Sequence, residues 1–367
     1  MSQPRTSATV NDLIAASVAT YGGSDAPTMG KQWLEVSLSK IVKRDPSLSS
    51  AMTKCGFYGQ VYVNQQTGEV IIANRGTQNM TNLATDAGVA VGMVGDAQAI
   101  ANEFARRGLQ VAQTILSDAG VKMSALYTTG HSLGGAEAEG QAAMLSTAND
   151  PSTGPLVPAD VHITTLSIDA PGIGDLAHKG DQSRYTSYNF SSQGDVVHKA
   201  GGEQLAGTVQ VSLPIGPPIV ETEGLMVAGV ATAVELPFVG LPMLAYGTDK
   251  ALEAHRSTLV LRNVTGTALG GMKVTELGTS GSDLLKAFEI RSTKAEPVAA
   301  RVQPNTDAAN DRHAAVAGGS LPHIWGLDAN GNVDPVALKG DTNVAYAEQW
   351  LDANGYQPKV PMQYKNA

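Results

Sequence analysis

The chain has 367 residues, of which 42% are hydrophobic and 16% charged, enough for one large α/β domain with an appendage or for two modest domains. Its net charge of −9 comes without any run of Lys or Arg, which argues against nucleic-acid binding and leaves apolar contact as the means of meeting an anionic lipid surface. Cys55 is the one cysteine, so an internal disulfide and multi-cysteine metal sites are excluded.

The first residues, MSQPRTSATVNDLIAAS, hold one Arg and no uninterrupted apolar core. A standard secretory leader is therefore not expected; synthesis in the cytoplasm is, with export by a non-standard route as an open alternative. Residues 11–21 and 31–43 read as helices separated by the breaker-rich YGGSDAPTMG. Residues 57–64 and 69–74 flank Gln65-Gln66-Thr67-Gly68, the signature of a β-hairpin. The second strand ends at Arg75-Gly76-Thr77.

Apolar side chains at Ile100, Phe104, Leu109, Val111, Ala112 and Ile115 predict a helix over 96–119 with Asp96 as its cap. A short strand over 124–129 and a small-residue helix over 134–146 enclose Gly130-His131-Ser132-Leu133-Gly134-Gly135. Further strands are expected at 161–168, before Asp169-Ala170-Pro171-Gly172-Ile173-Gly174, and at 185–190. Strands alternating with helices predict an α/β fold with a mainly parallel central sheet covered on both faces.

Residues 207–247 contain no Lys or Arg and are rich in apolar stretches, but Glu221, Glu223, Glu235 and several prolines interrupt them. A buried helical hairpin, or a lid or acyl-binding wall over an apolar cleft, fits better than a membrane span. Residues 291–319 have the composition of a linker, and 340–355 form a late helix capped by Asp341. The expected organisation is a catalytic domain over 1–290 with an insertion at about 207–250, a linker over 291–319 and a small C-terminal extension over 320–367.

In a chain with 40 glycines a G-x-S-x-G run is weak evidence by itself. Its position between a strand and a helix is stronger, because that turn exposes a serine Oγ above the sheet. Ser132 is therefore the candidate nucleophile. A serine hydroxyl needs an imidazole to take its proton and a carboxylate to orient that imidazole. His131 adjoins the serine, where the turn aims its side chain elsewhere, so it reads as a packing or hydrogen-bonding residue. His162 falls inside an expected buried strand; His178, His313 and His323 lie in polar loops.

His198 and His255 lie downstream, as the order serine, acid, histidine requires. His255, just before the strand-like 257–261, is preferred over His198, which stands only three positions beyond Asp195. Asp195 follows a candidate strand and is the preferred acid; Asp169 is its rival in a tight turn. For the oxyanion, Leu133 offers the N–H after the nucleophile, and Thr77 ends an earlier strand with Gly76 beside it. By itself Arg75-Gly76-Thr77 reads equally well as an ordinary strand-ending turn.

Taken together, Gly56-Phe57-Tyr58 through Arg75-Gly76-Thr77, the run around Ser132, Asp169 to Gly174 and Gly194 to Val197 resemble the class 3 lipase family, particularly its bacterial members, over roughly residues 50–262. The resemblance implies an α/β-hydrolase fold, Ser132 as nucleophile, Asp195 as acid, His255 as base, Thr77 at the oxyanion position and Asp86 as a brace of that loop. It implies a serine esterase acting on glycerolipids, as lipase or phospholipase A1, at a membrane or lipid interface. No HExxH or clustered metal-ligand motif occurs and no cofactor is implied. DANGNVD at 328–334 lacks the spacing of an EF-hand loop and reads as a hairpin turn.

An exported bacterial phospholipase effector, with a secretion apparatus or an inhibitor protein as partner of the C-terminal region, is the finer expectation. A membrane-inserting or partner-binding protein on a hydrolase scaffold is the alternative. The oligomeric state has no sequence signal.

Overall fold

The computed structural model describes residues 7–22, 26–43, 46–76, 90–150, 154–195, 197–199, 202–216 and 255–291. Packing divides the chain into two units, 1–78 with 94–302 and 79–93 with 303–367. Every described side chain belongs to the first.

Helix α1 (Val10–Ala19) begins at Thr9, whose hydroxyl accepts the Asp12 N–H while Asp12 accepts the Thr9 N–H. This reciprocal pair satisfies two of the donors that a helix start leaves free. Strand β1 (Leu34–Val36) follows, then two helices, α2 (Leu38–Val42) and α3 (Pro46–Cys55). Strands β2 (Gly59–Asn64) and β3 (Glu69–Asn74) form the expected hairpin, closed by a hydrogen bond of 2.8 Å from the Gly68 N–H to the Asn64 carbonyl. Gly68 has a φ of 84°, a conformation glycine adopts without penalty.

The long helix α4 (Ala90–Asp118), strand β4 (Ala125–His131), helix α5 (Leu133–Thr147) and strands β5 (Ile163–Ile168), β6 (Tyr185–Ser192) and β7 (Val209–Leu213) complete the core. Helices α6 (Ser257–Val264) and α7 (Gly281–Glu289) close it.

The seven strands lie side by side in chain order. The first two pairings are antiparallel and the remaining four parallel. Every residue of β3, β4 and β5 is buried, as expected of parallel strands covered on both faces. Side chains alternate between two cores. Val61, Val63, Val70, Ile72 and Leu126 join Phe104, Leu109 and Leu116 of α4 and Leu145 of α5 on one face. Tyr62, Ile71, Tyr127, Leu166 and Phe190 join Leu13 and Ile14 of α1, Val260 and Leu261 of α6 and Leu284 of α7 on the other. The fold is of the α/β class, a mainly parallel sheet between two helical layers, as the sequence predicts. Among the described residues no helix is long and apolar enough to cross a membrane.

Four readings of the sequence are corrected. Residues 31–43 are not one helix: Val36 pairs with Val61 in an antiparallel ladder, and that long-range pairing overrides the local pattern. Residues 257–261 are helical, not extended, because Val260, Leu261 and Val264 share the one buried face of α6. Residues 209–213, placed in the apolar insertion, form edge strand β7 beside β6. His162 is exposed and precedes its strand, bonded to Thr186 Oγ1 at 2.9 Å. The rest of the insertion, from 217 to 254, lies outside the described residues, as do the linker beyond Arg291 and the C-terminal extension with its expected helix.

Helix α5 carries an unexpected load. Its small residues let it lie deep against the sheet, so Glu137 and Glu139 are both buried. Glu139 accepts hydrogen bonds from Ser167 Oγ at 2.8 Å and the Leu205 N–H at 2.9 Å. Burial pushes its pKa up to about 7, against the opposing effect of those two donors. A carboxyl raised in this way stabilises the native state while it keeps its proton. That contribution is fully present below the ordinary value of 4.5 and is lost as pH rises through about 7. The stability difference between the protein and Glu139→Gln should therefore shift in favour of the variant by on the order of 3 kcal/mol between pH 5 and pH 8. Urea unfolding at a series of pH values checks this; a difference independent of pH would contradict it.

Candidate active site

The site is built from the end of β4. Ser132 follows His131 directly and precedes the first residue of α5, with φ 58° and ψ −131°. A side chain with a Cβ is strained there, and such strain persists only where the surroundings enforce it. The neighbouring glycines make the turn feasible. A Cβ on Gly130 would lie 2.1 Å from the Gly134 carbonyl oxygen, and one on Gly134 would lie 2.5 Å from the Asn74 carbonyl oxygen. The Ser132 N–H donates to the Ile168 carbonyl at 2.8 Å, tying the turn to the end of β5. Its Oγ is buried and has no hydrogen-bond partner.

Asp195 and His255 meet, although 60 residues separate them: the His255 Nδ1–H donates to Asp195 Oδ1 at 2.8 Å. Asp195 stands in the turn after β6, closed by its own N–H on the Ser192 carbonyl. It accepts three further hydrogen bonds, from the Val197 N–H at 3.1 Å and from the His198 N–H and Nδ1–H, each at 3.0 Å. Burial alone would raise its pKa, but the charge interaction with His255 and the donors of His198 and His255 outweigh it and hold the carboxyl well below the usual range. With Nδ1 carrying the proton, His255 Nε2 bears the lone pair. That nitrogen is buried and unpartnered, like Ser132 Oγ. His198, the rival histidine, shares the same carboxylate from the partly exposed side.

His131 joins these groups as a spacer. Its Nε2 bonds to the His255 carbonyl at 2.7 Å and its Nδ1 to the Tyr21 hydroxyl at 2.7 Å. A carbonyl can only accept, so Nε2 donates and Nδ1 accepts from Tyr21. The two imidazole rings lie 4.6 Å apart. Burial first, then the adjacent His255, lowers the His131 pKa to about 3, so the ring is neutral. Tyr21 Oη in turn accepts the Gly76 N–H at 3.1 Å. A Cβ on Gly76 would come within 2.9 Å of Ser132 Cβ, so the chain leading to the candidate oxyanion donor passes against the serine.

Asn74 and Gln141 exchange two amide hydrogen bonds of 2.8 and 3.1 Å, fixing the end of β3 to α5. Leu133 is the first residue of α5 and presents one of the N–H groups that a helix leaves without an internal acceptor. Thr77 and Asp86 lie outside the described residues. Asp169, the rival acid, is buried at the end of β5 and bonds to Ser192 rather than to a histidine. One atom each of His131, Asp169 and His255 lie within 4.8 Å of one another. Both nitrogens of His131 and Nδ1 of His255 are already committed to hydrogen bonds, which disfavours their use as metal ligands.

Sequence reasoning did not find Tyr21, Asn74 or Gln141. Tyr21 carried only the signal of an aromatic residue at a helix end, and the amide pair had none.

Residues 71–204 match the family described as Lipase (class 3), a span that includes both Ser132 and Asp195. Over that span the chain is similar to class 3 lipases, which supports its being a carboxylic ester hydrolase. Solved structures similar to it include Lip2 lipase from Yarrowia lipolytica, 13% identical over 57% of this chain and 79% of that chain with a TM-score of 0.36. A mutant form of MDLA from Penicillium cyclopium is 16% identical over 56% and 80%, with a TM-score of 0.36. A lipase from Rhizopus microsporus var. chinensis is 14% identical over 54% and 82%, with a TM-score of 0.31. No curated protein matches the chain.

Tyr21→Phe removes both the donor to His131 and the acceptor of the Gly76 N–H. The expected outcome is a loss of about 1–3 kcal/mol in unfolding free energy, read by urea titration. An unchanged midpoint would show that the Tyr21 hydroxyl holds nothing in place.

Proposed function

We propose that the protein hydrolyses acyl ester bonds of glycerolipids through Ser132, His255 and Asp195. His255 Nε2 takes the proton of Ser132 Oγ as that oxygen attacks the ester carbonyl, and then passes it to the departing alcohol. Asp195 holds the imidazole in the required tautomer and balances its transient charge. The N–H groups of Leu133 and Thr77 receive the developing oxyanion. Water, deprotonated by His255, then attacks the acyl-enzyme, releasing the fatty acid and returning the proton to Ser132.

The observation that supports this reading best is the 2.8 Å bond from His255 Nδ1 to Asp195, combined with two buried atoms, His255 Nε2 and Ser132 Oγ, that have no partner. Eight other buried side-chain atoms among the described residues also lack a partner; what singles out these two is that both residues adjoin His131, Ser132 in the chain and His255 by a ring contact at 4.6 Å. Catalytic hydrogen bonds are often formed only when substrate is bound. The net charge of −9 disfavours electrostatic docking to anionic lipid, so contact with a lipid surface is assigned to apolar residues.

Purified protein and Ser132→Ala should be compared on phosphatidylglycerol vesicles, phosphatidylethanolamine vesicles and triglyceride emulsions. Fatty-acid release should fall by about 10⁴-fold or more in the variant with an unchanged thermal melt. The vesicle and emulsion arms separate phospholipase A1 from triacylglycerol lipase action. Turnover retained by Ser132→Ala would overturn the mechanism, and absence of release from every lipid by the unmodified protein would overturn the substrate class.

A further inference from the structure

Two fully buried carboxylates flank the histidines of this site, and the mechanism above uses only one. Asp195 is saturated by four donors. Asp169 sits at the end of the neighbouring strand β5, with no solvent exposure and a φ of 48°. Its N–H is fixed to the Phe190 carbonyl at 2.9 Å, and Oδ1 accepts the Ser192 N–H at 2.6 Å. Oδ2 accepts the Ser192 hydroxyl at 3.2 Å and stands 4.0 Å from His131 Nε2. A carboxylate oxygen of Asp169 is also within 4.8 Å of a ring nitrogen of His255. A residue needed only to hold the Ser192 turn could be an asparagine, whose amide oxygen accepts the Ser192 N–H as well and which cannot ionise.

We propose that Asp169 is a reserve carboxylate for His255: Asp169 and Asp195 form a pair that holds one negative charge, and Asp169 takes over that charge when Asp195 is neutral. The inference rests on the triad reading above. Among the described residues, four titratable groups lie near Asp169: Asp195 after β6, His131 at the end of β4, His255 ahead of α6 and Tyr21 after α1. His131 is neutral and its Nε2 proton is committed to the His255 carbonyl. The charge Asp169 senses most is therefore that of Asp195. Burial and that neighbouring charge together keep the Asp169 carboxyl protonated far above the ordinary range. Removing the charge of Asp195 removes one of those two causes and makes Asp169 easier to ionise. Its oxygen then lies near enough to His255 to stabilise the imidazolium that forms as Ser132 attacks. As a group acting through His255, Asp169 is a positioning residue and takes no part in bond making.

The test is a cycle of Asp169→Asn, Asp195→Asn and the double variant in the full chain, with kcat/KM on a soluble short-chain ester measured across pH and folding monitored by thermal melts. Asp169→Asn alone should stay within about threefold of the unmodified protein, since Asp195 still carries the charge. Asp195→Asn should lose about 10²-fold, well short of the roughly 10⁴-fold seen when a triad acid has no substitute. The acid limb of its pH profile should steepen from one ionisation to two, because both His255 and Asp169 must then lose a proton. The double variant should lose at least about another 30-fold and return to one ionisation.

Equal effects of Asp169→Asn in both backgrounds, or an Asp195→Asn variant with no measurable turnover, would overturn the proposal. An Asp195→Asn variant as active as the unmodified protein would instead overturn the triad reading. Should Asp169→Asn not fold, the pH profile of Asp195→Asn decides alone, one ionisation contradicting the proposal and two supporting it.

Discussion

The backbone of Ser132 is the constraint on which the rest of the site depends. A residue with a Cβ held at φ 58° exists only because β4 enters the turn and α5 leaves it at distances that bare backbone alone permits. Gly130 and Gly134 meet where a Cβ would stand 2.1 Å from an oxygen, and a Cβ on Gly135 would stand 2.6 Å from that of Ala170. From this one turn follow the depth of α5 in the fold, the burial of Ser132 and the placing of His131, whose side chain meets Tyr21 and His255.

Around that turn, polar groups are placed where solvent cannot reorganise them. Each histidine tautomer is set by what its other nitrogen touches: a carboxylate in the case of His255, a carbonyl and a phenol in the case of His131. In such surroundings a hydrogen bond is strong and a missing one is expensive, which is why Asp195 collects four donors. The buried acids Glu137 and Glu139 on α5 follow from the same geometry. A helix that must lie close to the sheet over its whole length has no wide polar face, and Glu139 is tied to Ser167 and Leu205 rather than to water.

Much of this was legible in the amino-acid order because it is local. The β2–β3 hairpin, strands β4 and β5, the small-residue helix α5 and the turn at Ser132 are each encoded within a few residues. Asp195 and His255 were reached through chain order and the family resemblance, with His198 and Asp169 as rivals. Both rivals prove to be neighbours of the same charges, which is why residue type and position alone did not separate them sharply.

What was not legible depends on partners distant in the chain. Residues 34–36 become a strand because Val61 is available to pair with, and 257–264 a helix because one face has a core to fill. Tyr21 matters only because His131, 110 positions away, needs a donor. The amide pair of Asn74 and Gln141 spans 67 positions. No spacing rule reaches that far.

The central claim is that Ser132 is made nucleophilic by His255. Its most direct test is reaction of the intact protein with a fluorophosphonate, followed by peptide mass mapping and repeated on His255→Ala. The account predicts one adduct, on Ser132, that forms rapidly in the unmodified protein and is lost in the variant. An adduct on another residue, or labelling of Ser132 at the same rate without His255, would contradict it.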